Sequence, residues 1–168
     1  MLTHHRLPVS ISLSAVDSSF FSTVETAATV YQKDKERFHI LLSASTLPNW
    51  EPTPDPPEPV DLQVAMADTE PSPRLLWLEV SPYRLVMTMQ GGGKLSYRHF
   101  WERGVYGVSR YWLQSDDLKG YESFRLRNYT RNLFIKGHPL PSHLRLDYEM
   151  WTESMCLGQY VLNLEIEH

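Results

Sequence analysis

Along 143–167 apolar and polar side chains take turns, and few backbone conformations tolerate that. Leu144, Leu146, Tyr148 and Met150 alternate with Arg145, Asp147 and Glu149. Tyr160, Leu162, Leu164 and Ile166 then alternate with Val161, Asn163, Glu165 and Glu167. A half-buried strand imposes this period of two, because successive Cβ atoms leave opposite faces of a sheet. The connecting stretch 152–158 carries Ser and Gly, as a loop between two strands does. The end of the chain is therefore expected to be an antiparallel hairpin.

The same pattern extends upstream. Residues 60–67 (VDLQVAMA) alternate, and 75–80 (LLWLEV) form a short apolar run before Pro82, which marks a bend or a sheet edge. Tyr83, Leu85, Met87 and Met89 alternate with Arg84, Val86, Thr88 and Gln90, and Gly91-Gly92-Gly93 turns the chain into 95–101. Residues 105–113 and 124–135 are further strand candidates, with a DDLKG turn at 116–120 between them. Residues 15–32 are ambiguous: Val16, Phe20, Val24, Ala27, Ala28 and Tyr31 lie near helical spacing, yet the stretch is rich in Thr and Val. Strand, charged turn (33–36) and strand (38–44) is the preferred reading there.

Repeated helical crossovers of about a dozen residues are missing, which excludes a doubly wound parallel sheet. The expected fold is all-β with at most one or two short helices, a single-domain antiparallel β-sandwich or open barrel over 1–168. A proline-rich loop at 47–59 holds six of the twelve prolines and is expected to run as a stiff, extended connection. The N-terminus, 1–8, with His4 and His5, is expected to be mobile.

A chain of 168 residues is long enough to bury a proper core. Cys156 is its single cysteine, so no intramolecular disulfide and no thiolate zinc site is possible. That favours a reducing, cytoplasmic setting. Cys156 itself reads as a small apolar residue. No run approaches the roughly 18 apolar residues of a membrane helix, and 1–16 lacks the apolar core of a leader. Of the five tryptophans, Trp77 and Trp112 read as core, Trp50 as a pin for the proline loop, and Trp151 as part of a contact surface.

No motif points to catalysis. Gly91-Gly92-Gly93-Lys94 is followed by Leu95 and a strand, not by the Ser/Thr and helix that a phosphate loop needs. The seven histidines show no metal spacing, and His138 and His143 share a loop without a carboxylate or thiol. There is no G-x-S-x-G. Asp116-Asp117 is turn chemistry, and Glu165/Glu167 a solvated strand face. No catalytic residue, metal or cofactor is expected.

Charge is uneven. Residues 45–80 carry a net −6, 81–136 a net +6 and 137–168 a net −4, while 1–44 are neutral. The basic block interleaves arginine with aromatic residues, the mixture found at protein hot spots and on surfaces that stack single-stranded nucleic acid. Arg98, Arg110, Arg125, Arg127, Tyr129, Arg131 and Trp151 are the candidate contact set. The function these residues favour is a non-catalytic binding or assembly protein holding an acidic protein partner or an anionic ligand. A lipocalin-like barrel, a carrier or lyase-type protein whose Met, Trp and Tyr line an apolar cavity, is one alternative. A single-stranded nucleic-acid module is another, disfavoured by the net charge of −4 and a pI near 6.0.

Overall fold

The structure, a computed structural model, describes residues 3–44, 74–90, 95–114 and 121–168. The readings made above for the proline loop, for Trp50, for the strand at 60–67 and for the turns at 91–94 and 116–120 fall outside the described residues. What is described is strand and turn throughout. In chain order the strands are β1 (Thr3–Ala15), β2 (Phe21–Gln32), β3 (Phe38–Ala44), β4 (Arg74–Val80) and β5 (Arg84–Gln90). They continue as β6 (Leu95–Glu102), β7 (Tyr106–Gln114), β8 (Tyr121–Lys136), β9 (His143–Trp151) and β10 (Cys156–Ile166).

Each strand pairs antiparallel with its sequence neighbour, and β1 also pairs with β10, so the sheet shuts on itself. This corrects the expectation of a sandwich or open barrel: the fold is a closed ten-stranded barrel. The physical reason is β1. Val9, Ile11 and Leu13 face inward, while Ser10, Ser12 and Ser14 between them are only half-buried. Val9 lies opposite Ile166, Ile11 opposite Leu164 and Leu13 opposite Leu162. Residues 3–8, expected to be loose, belong to this strand and pair with 27–32. Without β1 the sheet would keep two open edges; with it there are none.

The expected pattern holds in β9, whose alternate residues Leu144, Leu146, Tyr148 and Met150 are all buried. Residues 21–44 form two strands around a turn at 33–37. Asp34 caps that turn by accepting the backbone N–H groups of Glu36 and Arg37 and pairing with the Arg37 guanidinium. Its amide and guanidinium donors hold the Asp34 carboxyl below its ordinary range.

The interior is lined by Ile, Leu and Met from all around the barrel. Leu42, Leu76, Leu85 and Leu146 are each 0% exposed, and Met87 is 1% exposed. Outward positions mix Ser, Thr, Glu and Arg with exposed apolar residues such as Phe21, Val108 and Phe134. No helix among the described residues is long and apolar enough to cross a membrane.

One corner departs from simple pairing. Beyond His99 the end of β6 leaves β7 and reaches β8. Arg103 bridges Thr130 in parallel, the Gly104 N–H donates to the Thr130 carbonyl at 3.0 Å, and the Thr130 N–H donates to the Val105 carbonyl at 3.4 Å. Gly107 makes this crossing possible. A Cβ there would fall against the Phe100 carbonyl oxygen, with Asn128 Oδ1 at 2.8 Å. The crossing carries Trp101 fully inside. Among the described residues Trp101, and not Trp77 or Trp112, is thus the core tryptophan; the other two sit half-buried at outward positions of β4 and β7. Local apolar neighbours suggested otherwise, but strand phase decides which face a residue takes.

Candidate functional site: the outer wall of β6 to β9

Strands β6, β7 and β8 carry a polar cluster on one face and a cationic surface on the other. Inward, His99 Nδ1 lies 2.7 Å from Ser109 Oγ, Asn128 Nδ2 donates to the same Oγ at 2.8 Å, and Met150 Sδ lies 3.8 Å from it. The His99 ring stacks on Trp101 with centroids 4.6 Å apart and meets Tyr111 edge-on at 5.5 Å. His99, Ser109, Asn128 and Thr130 are fully enclosed. A serine–histidine pair invites a nucleophile reading, but a hydroxyl this enclosed meets no substrate. The cluster is a polar node of the core. Trp101 Nε1, Asn128 Oδ1 and Thr130 Oγ1 have no hydrogen-bond partner among the described residues. Turning the Asn128 amide over would strand its nitrogen in place of its oxygen.

The sequence reading missed this node. Its members are 10 and 19 residues apart, and only register brings them together. The alternation of Tyr97, His99 and Trp101 within the basic block was the available signal.

The outward face gathers most of the predicted contact residues. Arg98 lies directly opposite Arg110, and Arg110 directly opposite Arg125. Three guanidinium side chains therefore stand in one row across three adjacent strands, all exposed. Two residues along each strand, Trp112 sits between Ser96 and Ser123 on one side of that row. On the other side Val108, Arg127 and Trp151 form a second row. Tyr106, Tyr129 and Glu149 form a third.

Neutralisation is partial. Glu79 Oε2 approaches Arg98 at 3.9 Å, and Glu79 is shared with His39, whose Nε2 lies 3.8 Å from Oε1. Arg127 lies over the Tyr106 ring at 5.3 Å and donates to the Glu153 carbonyl at 2.9 Å. Tyr106 in turn packs on Tyr129 at 4.9 Å. The Trp151 indole N–H donates to Glu149 Oε1 at 3.0 Å. Among the described residues Arg110 and Arg125 have no acidic partner. Tyr106 is 56% and Val108 40% exposed, so apolar surface borders the charge.

Arg131 departs from the set. A register shift between Thr130 and Asn132 carries it out of the rows. There it meets Glu149 at 3.8 Å and Gln159 at 3.3 Å. Cys156, read as a small apolar side chain, is instead exposed at the start of β10. His143 lies 3.3 Å from Asn163, across the β9–β10 pair.

No family model and no curated protein matches the chain. A solved structure, the crystal structure of ywiB protein from Bacillus subtilis, superposes with a TM-score of 0.55 over 99% of this chain and 94% of that one, at 12% sequence identity. What this chain shares with it is the fold.

Proposed function

We propose that this protein is a non-catalytic binding or assembly protein whose outer β6–β9 wall holds an acidic protein partner. The row Arg98–Arg110–Arg125 carries this reading. Like charges directly opposite on neighbouring strands destabilise a sheet by about 0.2–1 kcal/mol relative to neutral pairs. A sheet has no need of arginine at three such positions, and a carboxylate-bearing partner would offset the repulsion. The surrounding Tyr106, Tyr129, Trp112, Trp151 and Val108 match the composition of interface cores. A barrel without free edges offers no strand addition, so a partner would dock on side chains.

A carrier role for the interior has less support. Side chains from all around the barrel point into its middle, and Leu42, Leu76, Leu85 and Leu146 there are 0% exposed. Nucleic acid is disfavoured by Glu149 among the rows and Glu79 at their border, and by the net charge of −4. A cytoplasmic setting belongs to the same reading, supported by the single cysteine.

The test is capture by immobilised poly-L-glutamate at low salt. The wild-type protein should be retained and released as salt shortens the Debye length from about 30 Å at 0.01 M to about 8 Å at 0.15 M. The variant Arg98→Glu/Arg110→Glu/Arg125→Glu should pass through unretained with an unchanged circular dichroism spectrum. Equal retention of this variant would eliminate the wall.

A further inference from the structure

We infer that the element docking on this wall is an acidic α-helix of the partner protein, laid across β6, β7 and β8 along the arginine row. This rests on the acidic-partner reading and adds the partner's geometry. Directly opposed residues on adjacent strands have Cβ atoms about 4.5–5.5 Å apart. From Arg98 to Arg125 the row takes two such steps, about 10 Å. On a helix, residues three or four apart place their Cβ atoms about 5–6 Å apart, and seven residues rise about 10.5 Å. Carboxylates at i, i+3 or i+4, and i+7 therefore meet three arginines in step. An extended acidic strand spaces its same-face residues by about 6.8 Å and runs out of step over the same length.

Width points the same way. The Trp112 row and the Val108–Arg127 row flank the arginines, each two residues away along the strands. The three rows together cover about 14 Å. A helix with its side chains is about 10–12 Å across, so its flanks approach Trp112 on one side and Val108 on the other while its centre faces the guanidinium groups. A single strand covers one row.

Three synthetic peptides of about 20 residues test this. The first two share one composition of Glu, Ala, Leu and Gln, and the third differs from it only by its prolines. The first sets Glu at i, i+4 and i+7 on one helical face with Leu at its borders. The second scatters the same residues around the helix. The third alternates Glu with the rest and is broken by two added prolines. Fluorescence anisotropy of labelled peptides gives Kd, and circular dichroism gives the helicity gained on binding. The ordered helix should bind about tenfold tighter than either control, and Arg110→Gln should remove about that factor, as loss of a charged hydrogen-bond partner does. Helicity should rise on binding.

Equal affinity for the scattered or proline-broken peptide would overturn the helix while leaving the acidic partner standing. Binding of all three that survives Arg98→Glu/Arg110→Glu/Arg125→Glu would overturn both. Tighter binding of a labelled oligothymidylate than of any peptide would overturn both in favour of single-stranded nucleic acid.

Discussion

Gly107 has no room for a side chain, because its inner face lies against the Phe100 carbonyl of the crossing strand end. The obstacle is backbone, so it does not swing aside. Gly107→Ala should cost about 1–3 kcal/mol by urea unfolding, as overpacking does. Gly104, whose φ is 76°, has nothing within 4 Å of an added Cβ. Gly104→Ala should lose only the left-handed backbone preference, about 1 kcal/mol. His39 makes a separate prediction. Burial beside Trp77 lowers its pKa below 6.5, Lys33 adds to that, and Glu79 opposes both without prevailing. The folded state thus binds the proton less well than the unfolded chain. Stability should be full above pH 6.5 and fall as the pH drops through the folded value. The slope of unfolding free energy between pH 7 and pH 5 should be shallower in His39→Gln.

Among the strands, β6, β7 and β8 bear an electrostatic burden that a neutral residue would lift. Arg110 stands between two arginines. Arg110→Thr should raise unfolding free energy by about 0.2–1 kcal/mol at low ionic strength. The gain should shrink as the Debye length falls to about 3 Å at 1 M salt. Thermal unfolding at two salt concentrations measures it, and a loss of stability at low salt would refute the repulsion argument. The strands themselves were legible wherever one face is apolar and the other polar, as in β5, β9 and β10. β1 was not, because its apolar triad Val9, Ile11 and Leu13 lies in 1–16, read only for a leader's apolar core, and the strand begins within 1–8, read as a loose terminus. Trp101 was hidden inside a basic block, while Trp77 stood among leucines and passed for core. Alternation gives the two faces of each strand, so the arginines could be assigned outward from the sequence. It does not say which residue stands opposite which. The arginine row and the His99–Ser109–Asn128 node exist only through register, and register is set by pairing and by turns.

Taken as one molecule, the barrel assembles almost wholly from sequence neighbours. Nine of its ten pairings join consecutive strands, and the tenth joins 9–15 to 160–166. That seam requires the longest loop closure in the chain, so it should form after the hairpins. Ile11→Ala and Leu164→Ala should each cost about 2–5 kcal/mol. In stopped-flow folding they should accelerate unfolding and leave the folding rate nearly unchanged, giving φ-values near zero. A φ-value near one at Ile11 would place closure in the nucleus instead.

The seam has a consequence for a chain emerging from the ribosome. Until its final strand is released, the growing sheet has unmatched backbone donors and acceptors at both margins, and any other extended polypeptide nearby competes for them. The hazard ends in one step, when the first strand made meets the last.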